Sequence, residues 1–340
     1  MKAFFNRLHY SKNLNIYEKT LTLLLMPASF AYGLTAELRN FCYRKNIIKS
    51  YKPNVKTISV GNLTTGGTGK TPITKALANY LTQKGYKAAI LSRGYGSKLN
   101  SKKINIISDG KEIFYNAQNG GDEPVWLAEN CPGVCVLTSS NRVQIAKYAQ
   151  DTLKCNVLIL DDGYQHQKLK RDINILVIDG SKKFGNGKVL PAGPLREKLK
   201  NINRADKIIV VNKGQKQNDI QIENYITCNL TADYIYEIHT NKKPENNIKN
   251  IIAFSAIGQP EQFYNMLKEA NYNLVKTVSF NDHHNYTKDE IEKLLSNLNH
   301  AEAVITTEKD AVKIVNLTEK PIYALKLKAE IDMEKLLGNL

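Results

Sequence analysis

The chain has 340 residues, enough for two domains, and its 42% apolar and 24% charged content is that of a folded globular protein, which excludes a disordered or low-complexity chain. Five cysteines without a repeating framework exclude a disulfide scaffold and point to a reducing compartment, and the start of the chain does not read as a secretory signal. A formal charge of +16 calls for an anionic partner: nucleic acid, an acidic membrane surface or a phosphorylated substrate.

That charge is unevenly spread. Residues 1–56 hold ten Lys/Arg against Glu18 and Glu37, so half of the excess lies in a basic N-terminal arm. Within the arm Leu21, Leu23, Leu24, Leu25, Met26, Phe30 and Leu34 make an apolar run, interrupted by Thr22, Pro27 and Ser29 and flanked by Phe4, Phe5, Tyr10, Tyr17 and Tyr43. The run is expected to be too short to span a bilayer, which takes about 20 apolar residues. Two readings stay open: a helix lying at a membrane interface, or a helix packed on the protein's own core with its charged face in water.

The next segment, Ile58 to Pro72, has the residue types needed to cradle a polyphosphate. Lys56 to Val60 reads as a short strand, while Ile73, Ala76, Leu77, Tyr80 and Leu81 form one helical stripe. Between them Thr65, Gly66, Gly67, Thr68 and Gly69 supply backbone N–H groups. Lys70 would reach the β- and γ-phosphates of a nucleotide, Thr71 would place its hydroxyl on Mg²⁺, and Pro72 suits the first helical turn. Thr64 stands where the standard pattern has glycine, so this is a variant loop.

Apolar runs then alternate with amphipathic stretches: Lys87 to Leu91, Val134 to Leu137, Val157 to Leu160, Ile173 to Ile178 and Lys207 to Val211. Such alternation predicts a mostly parallel sheet covered by helices. Cys131 and Cys135 lie in this region without the further ligands of a zinc site, and read as core residues. The run ending at Leu160 is followed by Asp161 and Asp162, a strand end that would set a carboxylate beside the phosphate loop to hold Mg²⁺; which of the two does so stays open. Gln165 and His166 just beyond are able to contact metal or phosphate, although a lone histidine is more often structural. Asn212-Lys213-Gly214-Gln215 is the nearest approach to a guanine-reading pattern, and Gln215 replaces its carboxylate; ATP is therefore the expected nucleotide. The span 226–250 reads as a linker, most clearly in its polar part from Thr240, and a second alternating set over 251–340 predicts a smaller α/β unit beside a P-loop core over 57–225.

Seven blocks in order give the chain a likeness. They are Ile58 to Pro72, Leu91 to Gly96, Gly121 to Pro124, Asp161 to His166, Leu190 to Glu197, Phe280 to His284 and Thr307 to Lys313. In these blocks the chain resembles the tetraacyldisaccharide 4′-kinases of lipid A biosynthesis, whose phosphate loop is also a variant one. The resemblance implies a P-loop NTPase-like larger domain joined by a short β linker to a smaller α/β domain, with the active site between them. It implies transfer of the ATP γ-phosphate, with Mg²⁺, to the 4′-hydroxyl of an anionic acylated glucosamine disaccharide bearing a 1-phosphate. It also implies a peripheral position on the cytoplasmic side of the inner membrane; no nucleic acid is expected. The alternative is a P-loop ATPase switch that holds membrane or nucleic acid through its basic arm, a reading that leaves the Gly-Asp-Glu-Pro and Asp-His-His blocks without a purpose.

Residue roles follow from the same resemblance. Asp122 matches the family's proposed base and His283 its partner in a dyad, whereas the residues alone make Asp122 the cap of a helix over Glu123 to Asn130. From the residues themselves, Arg93 and Arg196 sit in loops bearing glycine or proline, where a fixed guanidinium would bind phosphate; a solvated surface position is the alternative.

Overall fold

The computed structural model describes residues 2–11, 13–214, 222–296, 298 and 300–338. Two helices, α1 (Lys2–Tyr10) and α2 (Ile16–Arg44), precede β1 (Lys56–Gly61), α3 (Lys70–Gln83) and β2 (Ala88–Ser92). After them come β3 (Asn105–Asp109), α4 (Ala117–Gly120), α5 (Asp122–Asn130), β4 (Cys135–Thr138), α6 (Arg142–Asp151), β5 (Val157–Asp161), β6 (Ile173–Asp179), β7 (Lys207–Asn212) and β8 (Tyr225–Glu237). The C-terminal part adds β9 (Asn250–Ser255), α7 (Pro260–Glu269), β10 (Asn273–Ser279), α8 (Lys288–Ser296), β11 (Ala303–Thr307), α9 (Glu308–Ile314), β12 (Tyr323–Glu330) and α10 (Met333–Leu337).

These strands make one sheet in the order β10-β9-β11-β12-β8-β7-β6-β1-β5-β2-β4-β3. Every neighbouring pair is parallel except β12 with β8 and β3 with β4. Helices cover both faces of the parallel part, which is why β2 and β5 are wholly buried and, up to their last residues Ser92 and Asp161, apolar without alternation. Strand β8 sits where a linker is expected from the sequence. It pairs with β7 on one side and β12 on the other, so the sheet runs unbroken across the chain and the irregular connection is confined to the stretch after Glu237. Cys131 and Cys135 are buried free thiols.

Helix α2 departs from expectation in two ways. It runs without interruption through Pro27 for 29 residues, and by length and composition it is long and apolar enough to cross a bilayer, against the expectation that the run is too short. The polar residues that interrupt the run in sequence do not interrupt the helix, because they lie on the face that docks. That docked stripe is Glu18, Thr22, Ser29, Gly33, Ala36 and Asn40. Ser29 Oγ donates to Val189 O at 2.6 Å and Asn40 Nδ2 to Glu197 Oε2 at 2.7 Å, while a Cβ on Gly33 would lie 3.2 Å from Val189 Cγ2. A capping box of Asn15 and Glu18 starts the helix. The apolar side chains point outward instead: Leu23 and Leu24 are 71% exposed and Phe30 69%, with Leu34, Leu38 and Phe41 along the same helix also exposed. Neither a core helix nor one with its charged face in water has this arrangement.

Candidate active site

Residues 62–69 join β1 to α3 and form the phosphate loop. Its backbone is tied to the segment 189–197: Arg196 N–H donates to Leu63 O at 2.7 Å and Thr65 N–H to Pro194 O at 2.8 Å. Asn62 Nδ2 bonds Thr68 Oγ1 at 3.1 Å, and the Tyr10 hydroxyl of α1 donates to Thr65 O at 2.9 Å. Gly69 caps α3 with φ of 91°, a left-handed conformation that a side chain would strain, and a Cβ there would press on Val211. No side chain caps α3, so its first N–H groups are left for a ligand, and the helix dipole favours an anion among them. At Gly66 and Gly67 an added Cβ would meet nothing within 4 Å; the rim of the loop borders open space.

Strand β5 lies beside β1 with Asp161 opposite Val60, and this register brings both aspartates to Lys70. Asp162 is held in a left-handed turn with φ of 50°, and Arg196 Nη1 lies 2.8 Å from each of its carboxylate oxygens while Lys70 Nζ is 3.5 Å away. Burial raises this carboxyl's proton affinity, but Lys70 and Arg196 outweigh it and hold the group well below the usual carboxylate range. Asp161 is buried, accepts from Thr74 Oγ1 at 3.2 Å, and is pushed up to about 6 by burial first and then by the nearby charges of Glu123 and Asp162. Thr71, Asp161, Asp162 and Gln165 line the same cleft and offer hard oxygen donors. The negative charge crowded around Asp161 is what a divalent cation would relieve, so the donor set fits Mg²⁺. Gln165 also braces the site: its amide nitrogen donates to Asn62 O at 2.8 Å and Glu197 Oε1 at 3.1 Å, leaving its oxygen 3.5 Å from Arg196. His166 also lines the cleft, and burial followed by four surrounding cations pushes its imidazole down to about 4.

The opposite wall comes from α5 and the turn after β10. Gly121, not Asp122, caps α5, because its φ of 91° makes the entry turn; Asp122 is the first helical residue and its carboxylate is not spent on capping. The reading of Asp122 as a helix cap is thereby overturned. His283, itself at φ of 62°, is anchored by its own N–H to Ala256 O at 3.1 Å and sets Nδ1 3.3 Å from Asp122 Oδ2. That hydrogen bond raises the imidazole above its ordinary value, against the effect of burial. Tyr95 meets the His283 ring edge-on at 5.9 Å. Arg93, two residues before Tyr95, is exposed and lines the cleft.

Several lysines and acids complete the cleft that the motifs did not single out. Lys309 pairs with Glu123, Lys313 lies 3.7 Å from Asp122 and 2.8 Å from Asp310, and Arg142 is buried with Nη1 on Asp162 O at 2.9 Å. Lys213 donates to Gly67 O under the loop. Glu123, Lys309 and Lys313 sit within the blocks that carry the likeness, where nothing local tells a ligand from a solvated charge; Asn212-Lys213 was visible only as a failed guanine motif. The fourth position of that motif, Gln215, lies outside the described residues. The whole cleft encloses about 1130 Å³ and takes in the phosphate loop, both aspartates, Asp122 and His283.

Residues 21–340 match a family model described as tetraacyldisaccharide-1-P 4′-kinase. The tetraacyldisaccharide 4′-kinase of Desulfotalea psychrophila is 35% identical over 323 residues, covering 91% of this chain and 92% of that protein. Its counterpart from Syntrophus aciditrophicus is 37% identical over 335 residues, 91% and 88%. Among solved structures, the "apo" form of LpxK from Aquifex aeolicus in complex with ATP is 33% identical, covers 93% of this chain and 96% of that one, and superposes with a TM-score of 0.78.

Proposed function

This chain belongs to the tetraacyldisaccharide-1-P 4′-kinase family, and we propose that it transfers the γ-phosphate of ATP to the 4′-hydroxyl of a tetraacylated glucosamine disaccharide 1-phosphate, giving the 1,4′-bisphosphate. The observation that carries the reading is the Asp122–His283 pair facing the phosphate loop in one cleft. Phosphoryl transfer needs positioning and charge neutralisation more than covalent help. Lys70, Arg196 and the loop amides hold the phosphates, with Arg93 at the mouth of the cleft. Asp122 takes the proton of the attacking hydroxyl, and His283 keeps that carboxylate aimed. Thr71, Asp161, Asp162 and Gln165 would hold Mg²⁺, which when bound neutralises charge on the phosphate oxygens. The chain divides for this purpose into a nucleotide-binding part over 57–225 and a smaller part over 251–340 that contributes His283, with 226–250 between them.

The deciding experiment incubates the purified protein with ATP, Mg²⁺ and the tetraacyl disaccharide 1-phosphate and weighs the lipid. One added phosphate, with ATP consumption strictly dependent on the lipid, is expected. ATP consumption that ignores the lipid and rises with DNA would overturn the kinase reading in favour of an ATPase switch. Thr71→Ala is expected to raise the Mg²⁺ concentration needed for half-maximal rate while leaving ATP binding in the absence of metal unchanged, since the hydroxyl is one ligand among several. An unaltered Mg²⁺ requirement would remove Thr71 from the metal site.

Membrane attachment at the cytoplasmic face of the inner membrane is part of the same proposal. It is supported by the outward apolar face of α2 and by the basic excess of the N-terminal arm, which together suit an interfacial helix on anionic lipid. The triple substitution Leu23→Ser, Leu24→Ser, Phe30→Ser touches no docked side chain. It is expected to keep the circular dichroism spectrum and to weaken binding to anionic vesicles by about tenfold or more, from the apolar area lost. Wild-type protein that ignores such vesicles at low salt would sink the attachment.

A further inference from the structure

Lys213 follows the last residue of β7, and Asp179 is the last residue of the neighbouring strand β6, paired in register with Val211. Both side chains are buried, 9% and 3% exposed, and the ammonium lies 2.7 Å from Asp179 Oδ2. The same Nζ donates to Gly67 O at 2.6 Å. Asp179 cannot swing away with it, because Oδ1 accepts the Ser181 N–H at 3.0 Å, the Ser181 hydroxyl at 2.7 Å and the Lys182 N–H at 3.1 Å. A buried ion pair is therefore locked to the ends of two sheet strands and reaches the phosphate loop at a single carbonyl.

That carbonyl belongs to the part of the loop that packing leaves alone. The ties to Pro194 and Leu63 act at Thr65 and before it, the Asn62 contact acts on the Thr68 side chain, and Gly66 and Gly67 border open space. A trans peptide is planar, with its C=O and N–H pointing in opposite directions. Fixing Gly67 C=O on the lysine therefore turns the Thr68 N–H to the other side, away from Lys213. Gln259 Nε2, from the turn before α7, reaches the same oxygen at 3.4 Å.

We propose that Lys213, held by Asp179, is a positioning residue that fixes the Gly67–Thr68 peptide with its N–H toward the nucleotide phosphates. This rests on the reading of residues 62–71 as the ATP phosphate site. Lys213 acts through the loop backbone, so its removal costs affinity for phosphate-bearing nucleotides and leaves adenosine recognition alone.

The test compares wild type, Lys213→Arg and the double variant Lys213→Met/Asp179→Asn in the full-length protein. The double variant removes both charges together, so neither is left buried and unpaired, and its melting temperature is expected to stay close to wild type. Binding of MgATP, MgADP and adenosine is measured by calorimetry, and ATP turnover kinetics are run alongside. ATP and ADP are expected to bind about 10- to 100-fold more weakly, the loss of one fixed contact to a charged group, with adenosine unchanged and the defect falling on KM for ATP rather than on kcat. Lys213→Arg keeps the charge but replaces the compact ammonium with a larger planar group, and is expected to show the same pattern at smaller size. Wild-type affinity for ATP in the double variant overturns the proposal and leaves the pair a purely structural one, as does an equal loss for adenosine. Wild-type protein that binds no MgATP fails separately, by overturning the nucleotide site itself.

Discussion

Lys70→Ala is expected to lower phosphate transfer by about 10³-fold or more while leaving the protein folded. The lysine belongs to no apolar cluster; its Nζ faces Asp162 at 3.5 Å across the cleft. Without it Asp162 keeps Arg196 on both carboxylate oxygens and Asp161 keeps the nearby charge of Arg142, so neither acid is left without a cation and the melting temperature has no reason to fall far. What disappears is the cation at the start of α3 that meets charge growing on the transferred group, a position that neither Arg196, which also holds Asp162, nor Lys309, paired with Glu123, takes over. Transfer within tenfold of wild type, measured as phosphorylated lipid per minute, would refute the assignment of the phosphate site.

Asp122→Ala and His283→Ala are each expected to depress turnover by about 10²- to 10⁴-fold, the usual worth of a positioned general base, with little change in ATP affinity. The two residues are 161 positions apart in the chain and meet at 3.3 Å, so they act as one unit. The double substitution should then cost little more than the worse single one. Fully multiplicative losses would separate them and reduce His283 to an independent contact. A second readout is the imidazole itself. Its proton affinity stands above the ordinary value chiefly because of the Asp122 hydrogen bond, so the charged form of the pair is fully present below the ordinary imidazole range and is lost as pH rises through the elevated value. In Asp122→Asn the His283 resonance should titrate at lower pH than in wild type.

Much of this site could be read in the sequence because it is local. The phosphate loop, its strand and its helix lie within 28 residues of Lys56, and apolar runs without alternation are what a sheet covered on both faces produces. Strand β8 was readable too: Ile226, Cys228 and Leu230 are buried with exposed residues between them, a period of two that the polar stretch beyond Glu237 obscured. Other features were not local. Asp179 and Lys213 are 34 positions apart and become partners only when β6 and β7 pair. The direction of α2 is unreadable for a different reason: periodicity shows that a helix has two faces without saying which one the body takes, and here hydrogen bonds to Val189 and Glu197 select the polar one.

The segment 189–197 holds α2 through Val189 and Glu197 and the phosphate loop through Pro194 and Arg196, so helix and loop are two ends of one short clamp. A helix of 29 residues is about 43 Å long and, lying flat, defines a plane as well as a point of attachment. Whatever surface that helix rests on, the loop stands at a set height and tilt relative to it. Under the proposed membrane attachment, an acylated substrate need not leave its own leaflet to be phosphorylated; only its sugar has to rise to the level of the loop. The quantity that governs the rate becomes the mole fraction of substrate within the surface, and diluting that surface with inert lipid should slow the reaction even when the bulk concentration of substrate is unchanged.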